Sequence, residues 1–182
     1  MTELWTPAWA EQQATPRADV VELWSVELFH PAFVDELMNG TSIRCVSDNQ
    51  DQMLPLEDSA LRDPGQTVLF KAVPFEVPWP DAQEGQTPQV RIRIDNVGRE
   101  LAPYLDAAVL VNAPVTIIFR CHLWSNGGAS IVAAINPVTL VLRQVTVSEQ
   151  FVEGTASPAD LANLQFLRVI YDVQNYPALT QQ

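Results

Sequence analysis

The chain has 182 residues, 47% of them apolar, and a formal net charge of −12 from 22 acidic against 10 basic side chains. That apolar content gives one domain a real core and excludes a disordered chain, while the acidity, with Lys71 as the sole lysine, excludes the basic footprint that nucleic-acid binding needs. No apolar run reaches the ~20 residues of a membrane span, and Met1 to Ala14 is too acidic and too short of apolar residues for a signal peptide, so neither membrane insertion nor export is expected.

Residues 3–14 (ELWTPAWAEQQA) predict a short helix opened near Thr6 and Pro7, with Trp5 and Trp9 one turn apart. Thr15, Pro16 and Arg17 separate it from the first strand-like segment, so residues 1–17 read as an N-terminal arm or short helix and 18–182 as a single β-rich domain. The strand-like segments lie at 20–29 (VVELWSVELF), 40–47 (GTSIRCVS), 67–77 (TVLFKAVPFEV), 89–97 (QVRIRIDNV), 114–124 (PVTIIFRCHLW) and within 138–152 (VTLVLRQVTVSEQFV). In the fourth, Val90, Ile92 and Ile94 alternate with Arg91 and Arg93, which buries one face of a pleated strand. It pairs with the segment around Phe75 as a wide hairpin whose loop, Pro78 to Pro88, is long enough to expect a function in it. The SPAD run at 157–160 predicts a helix starting at Ser157 and Pro158 and ending before Tyr176 and Pro177. With almost no helical segments between strands, the expected fold is mainly β: an antiparallel β-sandwich or barrel-like domain with a short N-terminal helix or arm and a short C-terminal helix.

The residues that carry chemistry in other proteins are sparse here. His30 and His122 have no second ligand at metal-binding spacing, and Cys121 adjoins His122 but points to the opposite face of a strand. Cys45 and Cys121 lie in strand-like sequence, where a small buried thiol is the simplest reading. There is no nucleophile elbow, phosphate-cradling glycine loop or His-Glu-x-x-His helix, and SNGG at 125–128 reads as a turn. Asp48, Asp51, Glu57 and Asp58 sit in polar loop sequence and are expected to be solvated. No catalytic residue, metal or cofactor is therefore expected, and the chain is not expected to be an enzyme. Contact is the expected mode of action: Trp5, Trp9, Trp79 and Tyr176 are the anchors, because Trp and Tyr are enriched where interfaces lose water, and Asp81 and Glu84 set charge beside Trp79.

The run AVPFEVPWPDAQEGQTPQVRIRIDNVGRELAPYL, preceded by VELWSVELFHPAF and followed by a segment ending NYPAL, resembles a family of tailed-phage proteins described only as a domain of unknown function and encoded in siphophage tail modules. The residues that correspond are His30-Pro31, Phe75-Glu76, Pro80-Asp81, Gly85, Pro88 and the strand Arg93-Ile94-Asp95-Asn96-Val97. The likeness covers roughly residues 20 to 180, with departures at 48–66 and 125–137. It implies a structural virion protein of the tail tip or baseplate, similar in placement to the hub protein that in lambda-like tails joins the distal tube to the central fibre. The implied partners are the distal tail protein, the central fibre or hub protein, the tape measure, and further copies of the chain in a ring, a trimer rather than a hexamer. Assembly would take place in the host cytoplasm and the final location would be the virion. On the residues alone, a carbohydrate-binding β-sandwich and a hydrolase in an unfamiliar fold stay open.

Overall fold

The computed structural model describes residues 6–35, 37–76, 89–95, 102–111, 113–125, 130–148 and 150–158. Helix α1 (Pro7–Ala14) starts where the Thr6 hydroxyl accepts from the Trp9 N–H and Pro7 supplies a pre-set first helical residue. Ten strands come after it among the described residues: β1 (Val20–Phe29), β2 (Ile43–Val46), β3 (Gln52–Pro55), β4 (Thr67–Ala72), β5 (Phe75–Glu76), β6 (Val90–Asp95), β7 (Thr116–Ser125), β8 (Ser130–Ala133), β9 (Val138–Val147) and β10 (Phe151–Ser157), with helix α2 (Ala102–Val109) between β6 and β7. They form one sheet in the order β3-β4-β2-β1-β7-β9-β10-β6-β5, with β8 also paired to β7. Of these pairings only β2 with β4 is parallel. The chain is mainly β, as its strand patterning predicts.

The long β1–β7 ladder, from Val20↔Ser125 to Phe29↔Thr116, sorts side chains onto two faces. On the front, Val26 and Leu28 of β1, Ile117 and Phe119 of β7, Leu140 and Leu142 of β9 and Ile92 and Ile94 of β6 join one buried cluster, which Leu105 and Ala108 of α2 complete. On the back, Leu23 and Val46 pack with Leu54, Leu56 and Phe70, so β3, β4 and the chain after β3 form a second layer. Layering of this kind is sandwich-like, and both faces of β7 end up buried.

A third cluster sits at the far end of the front face, where Cys121, Leu123, Ala134 and Ile135 take in Ala8 and Trp9 of α1 together with Val20 and Trp24. The register explains why the helix can dock there. His122 pairs with Ala133 but Phe119 with Val138, so residues 134–137 bulge out opposite Arg120 and Cys121. The bulge turns carbonyls outward, and Thr6 takes them: its N–H donates to the Ala134 oxygen at 3.0 Å and its hydroxyl to the Ala133 oxygen at 2.8 Å.

Several boundaries differ from the sequence expectation. The segment 67–77 is broken into β4 and β5 at Val73 and Pro74, and 138–152 is a hairpin of β9 and β10 turning at Ser148, whose hydroxyl accepts from the Phe151 N–H. Strands β3 and β8 and helix α2 were not expected. Ser157 ends strand β10 instead of capping a helix, and the C-terminal helix lies outside the described residues. The β5–β6 hairpin is present, with Phe75 opposite Ile94, but its loop, with Trp79, Asp81 and Glu84, lies outside the described residues too.

Because Trp9 is half-buried on Ala134 and Ile135, Trp9→Ala is expected to lower the unfolding free energy by roughly 1–3 kcal/mol, less than the ~3–5 of a fully buried aromatic. Urea titration of the two proteins measures it, and equal midpoints would show that α1 adds nothing to the core.

Candidate functional site

The back face carries the chain's concentration of buried charge. Glu27 of β1 stands opposite Arg44 of β2 and diagonal to Arg120 of β7, because Ser25 is the direct partner of Arg120. Arg44 lies 3.1 Å from one Glu27 oxygen and Arg120 2.8 Å from the other, with the Glu27 side chain 1% and the Arg120 side chain 3% exposed. A second carboxylate arrives from the segment 56–66: Glu57 takes two hydrogen bonds of 2.8 Å from Arg120, a bidentate grip. From the same segment Asp63 accepts from Arg44 at 2.7 Å, and the Arg62 guanidinium lies 5.2 Å over the Phe29 ring.

This segment is a strap closed on itself. The Leu56 N–H donates to the Gln66 oxygen at 2.8 Å, and the Glu57 carbonyl accepts from both Ala60 and Gly65 at 3.1 Å, which fixes the backbone from which Glu57 reaches Arg120. Asp63 and Gly65 have φ of 54° and 67°, the left-handed geometry that folds the strap back. Burial alone pushes the Glu57 carboxyl up, but the hydrogen bonds and charge of Arg120 outweigh it and hold the group below its ordinary value. Glu57 was expected to be solvated; it is instead an anchor of the strap. Asp51 and Asp48 are likewise engaged, accepting from the Ala72 N–H and the Gln52 amide.

The histidines are structural hinges of this frame. His30, fully buried, accepts at Nδ1 from the Ala32 N–H, so the proton is on Nε2, which donates to the Ala113 oxygen at 3.1 Å. His122 faces the back, where Nε2 lies 3.3 Å from the Pro55 oxygen, while Cys121 faces the front with its thiol pushed up by burial to about 12. Neither cysteine is in a disulfide. Among the described residues no three His, Cys, Asp or Glu side chains are grouped so as to hold a metal, and no helix is long and apolar enough to cross a membrane.

What the frame displays lies beyond its edges. From the buried joint of His30 and Phe33, whose ring meets Tyr104 of α2 edge-on at 5.5 Å, the chain runs out to a tight tip. There the Asp35 carboxylate accepts from the Leu37 and Asn39 N–H groups at 2.9 and 2.8 Å. The tip presents Leu37 and Met38, 80% and 78% exposed, with Met38 at a φ of 62°. At the end of α2, whose inner side gives Leu105 and Ala108 to the core, Val109 and the following Leu110 are 84% and 87% exposed. A separate open cleft of about 570 Å³ lies beside the β5–β6 pair, between Pro74, Phe75, Glu76, Arg93, Asp95 and Phe151, where the Arg93 guanidinium stacks 4.1 Å from the Phe151 ring.

A model of the domain of unknown function DUF1833 matches residues 10–171. The chain belongs to the DUF1833 family. No curated protein matches it. The DUF1833 match takes in the strap, the Asp35 tip and every described strand, and leaves Thr6 and Trp9 outside.

Of the contact residues expected from sequence, only Trp9 falls among the described residues, where its side chain packs on the chain's own third cluster; Trp5, Trp79, Asp81, Glu84 and Tyr176 lie outside them. Sequence reasoning passed over Glu27, Arg44 and Arg120, and the apolar pairs Leu37-Met38 and Val109-Leu110. A signal existed for both: an arginine within IIFRCHLW, and two large apolar residues in the turn sequence DELMNG.

Arg120→Ala leaves the Glu57 carboxylate without its cation and buried Glu27 with Arg44 alone, and it is expected to cost about 3–5 kcal/mol of unfolding free energy by urea titration. Arg91→Ala, on the exposed pair with Glu153, should leave the denaturation midpoint unchanged.

Proposed function

We propose that this DUF1833 protein is a structural component of a phage tail tip or baseplate, part of the hub that joins the distal tube to the central fibre, and that it acts by holding neighbouring subunits. The observation that carries the proposal is the pairing of a braced β frame with apolar side chains held outward on short, preorganised tips. Leu37 and Met38 are fixed by Asp35, and Val109 and Leu110 stand at the end of a helix whose other side is core. Preorganisation lowers the ordering cost of association, and apolar residues on a rigid scaffold are the ordinary equipment of a subunit interface. The His30-Pro31, Phe75-Glu76 and Arg93-Ile94-Asp95 positions that resemble the siphophage family support the same reading: His30 locks the base of the tip, and Phe75 and Arg93 lie in the β5–β6 hairpin at the sheet's edge. The partners proposed are the distal tail protein, the central fibre protein, the tape measure and further copies of the chain in a ring, a trimer in preference to a hexamer.

The test is a phage carrying Leu37→Ser and Met38→Ser together. Both side chains are exposed, so the purified variant should melt with the parent, while association with tail partners should weaken by about 2 kcal/mol or more, roughly 30-fold, and tails should stall before completion. Complete, infective particles that lack the chain by mass spectrometry would rule the proposal out, and infective particles containing the variant at full stoichiometry would remove the tip from it.

A further inference from the structure

The strap 56–66 is held to the back face by ion pairs at Glu57 and Asp63, and its root is held by one further bond, the His122 Nε2–H to the Pro55 carbonyl at 3.3 Å. A carbonyl can only accept, so Nε2 carries the ring proton and the neutral tautomer is fixed. The other nitrogen, Nδ1, is buried and has no hydrogen-bond partner among the described residues. The groups around the ring are set by the ladder and the strap. Leu23 of β1 is directly opposite, with Ser25 diagonal and Glu27 beyond it; Ala133 of β8 is opposite on the other side. Arg120 is two residues along the same face of β7, Glu57 comes from the strap, and Arg44 of β2 lies beyond Glu27. Both Glu57 oxygens accept hydrogen bonds from Arg120, and the two Glu27 oxygens face Arg44 and Arg120 at ion-pair distance.

We propose that His122 makes the strap an acid-sensitive catch: protonation of Nδ1 creates a buried N–H with no acceptor and a second cation beside Arg120, and the charge is accommodated when the strap lifts and admits water. The inference stands apart from the tail-tip reading and does not rest on it.

The direction of the equilibrium agrees. Burial, opposed by the Pro55 bond and assisted by the charge of Arg120, holds the His122 ring below its ordinary value of 6.5. With a lowered value in the closed state, the open state binds the additional proton, so closure is at full strength above about 6.5 and weakens as pH falls below it. Glu57 is also held below its ordinary value, 4.5, so its contribution is lost only in a lower window. The two groups therefore act at separable pH values.

The experiment is hydrogen exchange on the full chain from pH 7.5 to 4, with rates corrected for intrinsic exchange. The amides of Leu56, Ala60, Gly65 and Gln66, which bond within the strap, report its closure, and those of β1 and β7 report the frame. Strap protection should fall by up to roughly tenfold per pH unit below about 6.5 while the frame holds. In His122→Gln, whose amide can still donate to Pro55 but cannot charge, that loss should move to the Glu57 window. Imidazole NMR of the parent supplies a readout independent of the variant's folding, with a His122 midpoint expected below 6.5. Identical profiles in parent and variant, frame and strap amides failing together, or a His122 midpoint at or above 6.5 would each overturn the proposal.

Discussion

Arg120 is the constraint on which most of this architecture depends. A guanidinium does not lose its proton in a protein, so a sheet that buries one must bring anions to it. Two come, from opposite directions: Glu27 across the β1–β7 ladder and Glu57 down from the strap. The first fixes a register, because sliding β1 by one residue would send Glu27 to the front face against Ile117 and Phe119 and turn Val26 and Leu28 to the back. The second fixes a closure, because without the strap the guanidinium would meet water through an open back face. Against well-packed apolar residues of the same volume such a network adds little net stability; its contribution is one arrangement in place of several.

The same alternation that sends Arg120 backward sends Phe119 and Cys121 forward, and β7 then needs a cover on each face. Helix α2 provides one with two side chains, Leu105 and Ala108, and the β3–β4 layer provides the other. Each cover leads away from the core through a short, heavily bonded segment. The rigidity of the frame and the exposure of its tips are thus connected: loops anchored at both ends to buried joints such as His30 with Ala113 hold their apolar side chains outward, because the backbone beneath them cannot fold back.

The parts of the fold that could be read in the sequence are those set by short-range forces. Strand β6 was legible because its burial shows as period-two patterning within one segment, β1 and β7 because each is a run rich in β-branched and large apolar residues between turn signals, and α1 because Thr6-Pro7 is a local start signal. Four-residue β3 and β8 carry too few alternations to register, and α2 was hidden by its place inside a run of strands, although Pro103 in its first turn was available as a signal. Ser157 was misassigned because an N-cap motif is also acceptable strand sequence when β9 lies alongside to pair with it. The network was the least legible feature. Glu57 and Arg120 are 63 residues apart, and a glutamate in LPLEDSALRD looks solvated until the fold delivers an arginine to it. The polarity of residues 48–66, which suggests a free loop, is the polarity of a segment that docks on buried charge.

Among the described residues, two other than glycine sit in the left-handed region, Met38 and Asp63, and their comparison separates internal from external work. Such a conformation costs of order 1–3 kcal/mol and persists only where surrounding contacts enforce it. For Asp63 the offset is within the chain, since the turn aims its carboxylate at Arg44 at 2.7 Å. For Met38 the enforcement comes from Asp35 and from the Val34–Gly40 bridge beneath the tip, yet the side chain so placed is 78% exposed. A flexible apolar side chain held off the surface by a strained, capped turn gains burial only against a second molecule. A thioether on an unbranched stem suits that role, because it adapts to an irregular apolar socket at small cost in fit. The acid that builds the turn also rims the tip, so a partner that pairs an apolar socket with an Arg or Lys beside it would meet both features at once.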